Sequence, residues 1–139
     1  MRGDKVGNMT IDEVIAHLTD IVDWARTESS KLGYFAALYR KVTVQVKQGI
    51  TAGRFQDGPR MEQLDVTFAS RYLDAFSAFR QGQSVTHSWH VAFTTAHRRV
   101  PIILQHLLVG MNAHINLDLG IAAAQVAPGP ALTALKHDF

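Results

Sequence analysis

The residues best suited to chemistry in this 139-residue sequence lie close together in its second half. His106, Gly110, His114 and Asp118 follow one another at intervals of four residues. In an α-helix, residues four apart share one ridge that drifts by about 40° per step. A carboxylate four residues after a histidine can bond its imidazole, fix its tautomer and raise its basicity. We therefore predict that His114 and Asp118 lie in hydrogen-bond reach, with His114 as acid or base.

Three interpretations of this ridge stay open. The first is proton transfer or ligand binding without a metal, in which Asp118 orients His114. The second is a divalent metal held by His106, His114 and Asp118, with Asp65 as an alternative third ligand. It is not favoured, because the spacing matches neither the H-E-x-x-H zinc motif nor the Glu-x-x-His di-iron motif. The third is a hydrogen-bond network that only holds the helices in register.

Asp65 is a second candidate, because it interrupts an apolar stripe formed by Met61, Leu64, Phe68 and Tyr72. A buried charge is costly unless it is paired or hydrogen-bonded. Asp65 therefore either pairs with an arginine at the edge of the stripe or points into a polar pocket that belongs to the site.

Helices must position these residues, because apolar side chains recur at helical spacing and no convincing strand pattern is present. Thr10 and Glu13 form a capping box ahead of a helix over about 11–29. Further helices are predicted after Gly33, after Asp57, after Thr86 and over about 101–124. We predict an all-α fold, an irregular bundle of five to six helices in a single domain over 1–139. Residues 1–9 are expected to be a flexible N-terminus and 131–139 the start of an incomplete last helix.

The sequence also predicts how these elements pack. The helix over 101–124 is apolar around most of its circumference, so we expect it to be central and the most buried element. The short segment 131–139 should dock on the core, pair with another protomer or fray. Aromatic pairs at Phe35 and Tyr39 and at Trp89 and Phe93 are expected in the core, and Gly110 should leave room for a backbone or a small ligand.

The composition excludes several classes of function. There are 0 cysteines, so disulfides, thiolate metal sites and cysteine nucleophiles are excluded. A net charge of +2 is too weak to indicate nucleic-acid binding. Polar groups interrupt the most apolar run and 1–9 lacks a hydrophobic segment, so we expect no membrane span, no secretion signal and a cytoplasmic protein. Phosphate-loop, dinucleotide and G-x-S-x-G motifs are absent.

Three segments carry a family resemblance: GYFAALYRKVT (33–43), RMEQLDVTFASRYLDA (60–75) and LLVGMNAHINLDLGIA (107–122). From about Ile11 to Phe139 the sequence resembles an uncharacterised bacterial family, domain of unknown function 5995. The resemblance implies an α-helical fold and no established activity. Because family members continue past Leu135–Phe139, we expect a correspondence to the family's N-terminal part. Its pattern falls on Asp65, Arg71, Tyr72, Trp89, Gly110, Asn112, His114, Asn116 and Asp118.

Taken together, these observations favour a small-molecule enzyme or binder and leave open whether catalysis occurs. The predicted catalytic residues are His114, Asp118, Asp65 and Tyr72, and the predicted substrate-binding residues are Asn112, Asn116, Trp89 and Arg71. A deep apolar pocket beside them would support this function. The alternative is a non-catalytic helical interaction module with a fully satisfied, pocket-free interior. Independently of this choice, we expect that an apolar surface left uncovered after 131–139, where family members continue, promotes homo-oligomers.

Overall fold

The structure is a computed structural model that describes residues 9–95 and 103–138, without the side chains of 103–106, 108 and 136. The predicted all-α bundle is confirmed, and no strand occurs in these ranges. The expected flexible N-terminus, apart from Met9, and the expected helix start at Pro101 lie outside the described residues. The elements are α1 (Ile11–Thr27), α2 (Gly33–Thr51), α3 (Gly58–Arg80), α4 (His87–Thr95), α5 (Ile103–Ala113), a π-helical turn (His114–Leu119), α6 (Gly120–Val126), α7 (Ala131–Leu135) and a 3₁₀ turn (Lys136–Asp138).

Local signals in the sequence set where the first helices begin. The predicted capping box is present, since Glu13 N donates to Thr10 Oγ1 at 3.2 Å and Thr10 N donates to Glu13 Oε2 at 2.7 Å. The α3 helix begins in a similar way, because the Asp57 carboxylate accepts from Arg60 N at 3.0 Å. Such caps satisfy backbone donors that have no partner within the helix.

The helices enclose two apolar clusters. The larger one joins α1, α2, α3 and α4 to the end of α5 and contains the predicted core aromatics Tyr39, Trp89 and Phe93. A smaller cluster joins the start of α3 to α6 and α7 through Met61, Leu64, Ala122, Ala123, Ala127 and Leu135. The two clusters place α3 at the centre of the bundle, with other helices along its whole length.

The helix predicted over 101–124 is described from residue 103, and α5, the π-helical turn and α6 follow one another without a break to Val126. We call this segment, 103–126, the rod. The rod buries Ala113, His114, Asp118 and Ala122 on one face. The expectation that this is the most buried element is wrong for the described residues, because another face is open to solvent. Met111 and Ile115 are 37% and 48% exposed, and Asn112, Asn116, Gly120 and Ala124 are exposed as well.

The last described segment docks on the core, which is one of the outcomes predicted for it. Leu135 is fully buried in the smaller cluster, whereas Leu132 remains 43% exposed. Asp138 accepts hydrogen bonds from the backbone amides of Gln56 at 2.6 Å and Asp57 at 3.2 Å, and from Arg60 Nη2 at 3.0 Å. These contacts fasten the 3₁₀ turn to the beginning of α3. Phe139 lies outside the described residues.

Candidate functional site

The predicted contact between His114 and Asp118 is present in the π-helical turn. His114 Nδ1 lies 3.4 Å from Asp118 Oδ2, and the two residues are 3% and 1% exposed. The ring faces an ionised carboxylate that can only accept, so we assign the hydrogen of the neutral imidazole to Nδ1. This tautomer leaves a lone pair on His114 Nε2.

Two further donors hold the Asp118 carboxylate. Arg71 Nε of α3 donates to Oδ1 at 2.8 Å, and Trp89 Nε1 of α4 donates to Oδ2 at 2.8 Å. Burial by itself raises the pKa of Asp118, but hydrogen bonds from His114, Arg71 and Trp89 outweigh it and lower the pKa below its ordinary value. Asp118 is therefore an anion that joins three elements of the bundle.

Aromatic rings surround His114. The ring of Phe68 stacks on it with centroids 3.5 Å apart and planes 7° apart, and the Tyr39 centroid lies 4.6 Å away. The rings of Phe35 and Tyr72 are 5.8 Å and 6.1 Å away. Burial among them lowers the pKa of His114 despite the opposing effect of Asp118. The imidazole is thus neutral at pH 7, the state required of a base.

Within the part of the chain that the structure describes, four buried polar atoms in this region have no hydrogen-bond partner: His114 Nε2, Tyr39 Oη, Tyr72 Oη and Asp65 Oδ2. Unpaired buried polar atoms are rare in native proteins, because each costs about 1–3 kcal/mol. Their number around one histidine indicates a place where water or a ligand supplies the missing partners.

Asp65 belongs to this set through Tyr39. Burial first, and then the charges of Asp65 and Asp118, raise the pKa of the Tyr39 phenol, so both carboxylates act on one hydroxyl. Asp65 is 8% exposed, and burial followed by the nearby charge of Glu62 raises its pKa to about 7. The predicted ion pair with an arginine is not formed among the described residues.

A small cavity lies beside the unpaired polar atoms around His114, on the side of Tyr72. It is lined by Phe35, Tyr72, Trp89 and Gly110, together with Lys31 and residues of α4. Its volume of about 20 Å³ is enough for about one water molecule. The room that Gly110 was expected to leave is taken by the Phe35 ring, whose Cδ2 would lie 2.7 Å from a Cβ added at Gly110.

Comparison with known proteins identifies the family of the chain. The model of a family of unknown function, DUF5995, matches residues 11–139. The chain belongs to the DUF5995 family. The match spans essentially the whole chain and not an N-terminal part alone. No curated protein and no solved structure matches the chain significantly.

In the DUF5995 chain, the other predicted site residues divide into two groups. Arg71 and Trp89, expected to bind substrate, contact Asp118, and Tyr72 contributes one of the unpaired hydroxyls. Asn112 and Asn116 instead lie on the exposed face of the rod, where Asn116 Nδ2 donates to Asn112 Oδ1. The structure does not bring them to the buried cluster.

The predicted metal ligands are brought together only in part. His114 and Asp118 are in contact, but the side chain of His106 lies outside the described residues. Within the described ranges, no group of three histidine or carboxylate side chains is arranged to hold a metal ion.

In the same ranges, no helix has the length and apolarity needed to cross a membrane.

Three residues of the site were not predicted as such. Phe35 and Tyr39 were expected only as core aromatics, and Phe68 only as part of the apolar stripe of α3. Tyr39 carries a hydroxyl that needs a partner when it is buried, and this was the available sequence signal. Nothing in the sequence indicates that Phe68 stacks on His114.

Proposed function

We propose that this DUF5995 protein binds a small hydrogen-bonding molecule inside its bundle and performs acid–base chemistry on it. His114 Nε2 is the general base, and Asp118 positions the ring and stabilises the imidazolium that forms. Arg71 and Trp89 act one step further out, because they hold Asp118. The observation that carries the proposal is the set of four buried, unpaired polar atoms around His114.

The electrostatics support this assignment. A base must be unprotonated before reaction, and burial keeps His114 neutral. It must also tolerate a proton during reaction, and the adjacent Asp118 anion compensates that charge. Asp65, with a pKa of about 7, exists in both protonation states near neutral pH and can serve as the complementary acid.

Access to the site requires movement. The cavity beside the cluster takes about one water molecule, so a larger ligand enters only if a wall residue moves. Phe35 is the candidate, because it is half-buried, lines the cavity and contacts His114. Its displacement would open a path from the cavity to the imidazole.

The alternative function, a non-catalytic interaction module, has one observation in its favour. Asp118 joins α3, α4 and the π-helical turn, which is what a packing determinant would do. A role in packing alone leaves four other atoms without partners among the described residues. They are His114 Nε2, both tyrosine hydroxyls and Asp65 Oδ2. The acid–base proposal accounts for both sets of atoms.

The test is a titration followed by ¹H–¹⁵N NMR of the histidine rings, with methanol, acetamide, methylammonium and acetate as probes. We expect at least one probe to shift His114 Nε2 in the wild type, and the Nδ1–H tautomer to be lost in Asp118→Asn. His114→Gln should keep stability within about 1–2 kcal/mol and abolish probe binding, which in this variant is measured on the backbone amides of 113–119. The proposal fails if none of the four probes shifts the His114 ring signals at the highest concentration at which the protein stays folded. A loss of stability in Asp118→Asn without any loss of binding would favour the interaction module.

A further inference from the structure

The charges around His114 are not balanced. Asp118 is neutralised by Arg71 at 2.8 Å, and His114 itself is neutral. Asp65 forms no ion pair among the described residues, and the charge that acts on it, the carboxylate of Glu62, is also negative. An ionised Asp65 therefore leaves one uncompensated negative charge at the edge of the cluster.

The unpaired atoms supply the hydrogen-bonding requirement. Asp65 Oδ2, Tyr39 Oη and His114 Nε2 can all accept, and none has a donor among the described residues. An alkylammonium group has three N–H donors and no acceptor. It also carries the positive charge that compensates an ionised Asp65.

From these observations we propose that the molecule bound at this site is a small primary amine in its ammonium form, with Asp65 as its counter-ion. The inference rests on the proposed function, because it names the ligand class of the same site. It assigns the ionised Asp65 to recognition of charge, which replaces the role as acid that a neutral ligand would allow, and it assigns Tyr39 to orientation of the ammonium. A neutral or anionic ligand would leave Asp65 without compensation.

The charged and titratable groups that face this position come from three elements. Glu62, Arg71 and Tyr72 lie on α3 with Asp65, Tyr39 lies on α2, and His114 and Asp118 lie on the π-helical turn. Arg71 is held by Asp118 and does not offset Asp65. Because Asp65 has a pKa of about 7, ammonium binding should weaken about tenfold for each pH unit below that value. Alkylammonium groups remain protonated up to about pH 10, which leaves a wide window for the measurement.

The experiment compares methylammonium chloride with methanol, a neutral probe of similar size, at pH 8 by NMR titration of the His114 ring. We expect methylammonium to bind at least tenfold more tightly than methanol, and Asp65→Asn to remove that preference. Glu62→Gln should weaken methylammonium binding more mildly, which gives a second variant if Asp65→Asn folds poorly. Asp74→Asn, an exposed site on the same helix, is the matched control and should leave binding unchanged.

The possible failures are distinguishable. If methanol or acetamide binds at His114 as tightly as methylammonium, or if Asp65→Asn leaves the preference intact, the ammonium proposal is overturned and the acid–base function stands. If acetate binds best, the assigned charge of the site is wrong. If no probe binds, both proposals fail.

Discussion

The pKa values of Asp65 and His114 are shifted in opposite directions from their ordinary values. Burial raises the pKa of Asp65 from 3.8 to about 7, and burial lowers the pKa of His114. In both residues the neutral form is favoured, because a charge that leaves water loses its hydration. The site therefore holds a neutral base and a carboxyl group that titrates near physiological pH.

The Asp65 shift predicts a pH dependence of stability. Between pH 4 and pH 7 the folded state binds the proton that the unfolded state has released, so the free energy of unfolding falls as pH rises. The total loss is on the order of 4 kcal/mol, and no further loss occurs above pH 7. Asp65→Asn should remove this fall, so the variant gains on the wild type as pH rises from 4 to 8.

Urea denaturation of both proteins across this range gives the comparison. The His114 contribution has the opposite sign, since it is present above pH 6.5 and lost as pH falls. It occurs in both proteins and cancels in the difference. Parallel stability profiles for the wild type and Asp65→Asn would contradict the prediction.

The contacts of Asp118 show which part of the site could be predicted from the sequence. The contact with His114 was predictable, because it depends on residues four apart. Arg71 and Trp89 reach Asp118 from 47 and 29 residues away in the chain. Spacing along one helix cannot specify such contacts, so the sequence predicted substrate binding for both residues and did not predict that they hold the carboxylate.

At the scale of elements, helix type and order were predictable, and local departures from regularity were not. The capping box of α1 and the apolar stripe of α3 involve neighbouring residues, and both are present. Nothing in the sequence of 114–119 predicts the π-helical turn, yet this turn contains both His114 and Asp118. Such turns occur often at functional sites, in agreement with the location proposed here.

The contact between α2 and α5 gives a prediction about Gly110. An added methyl group would clash with the Phe35 ring at 2.7 Å, and the ring also contacts His114. Overpacking costs about 1–3 kcal/mol, and alanine recovers about 1 kcal/mol through helix propensity. We expect Gly110→Ala to lower the free energy of unfolding by up to about 2 kcal/mol.

Gly120 offers a matched control in the same rod. A methyl group added there meets no atom within 4 Å. Gly120→Ala should therefore stabilise the protein by up to about 1 kcal/mol, as measured by thermal or urea denaturation. Equal effects of the two substitutions would show that Phe35 yields without cost.

For the whole molecule, the smaller cluster predicts that α7 contributes to stability. Leu135 is fully buried there, and its truncation leaves a cavity between α3 and α6. Leu135→Ala should cost about 2–5 kcal/mol. Leu132→Ala, on the same short helix and 43% exposed in the wild type, should change stability by no more than about 0.5 kcal/mol.

Urea denaturation of the two leucine variants makes the comparison. If Leu135→Ala were as mild as Leu132→Ala, the segment would be attached to the fold without supporting it. The sequence indicated that 131–139 would dock, pair or fray, and could not choose among them. The choice depends on Met61 and Leu64, more than 70 residues earlier in the chain.

The fastening of Asp138 to the start of α3 has a consequence for the protein during its synthesis. Arg60 and its partner Asp138 are 78 residues apart. At about 5–20 residues per second, roughly 4–16 s pass between the addition of these two residues by the ribosome. Met61 and Leu64 are added at the beginning of this interval, and Leu135, which covers them in the folded protein, is added near its end. The smaller apolar cluster therefore cannot close around the start of α3 until almost the whole chain has been synthesised.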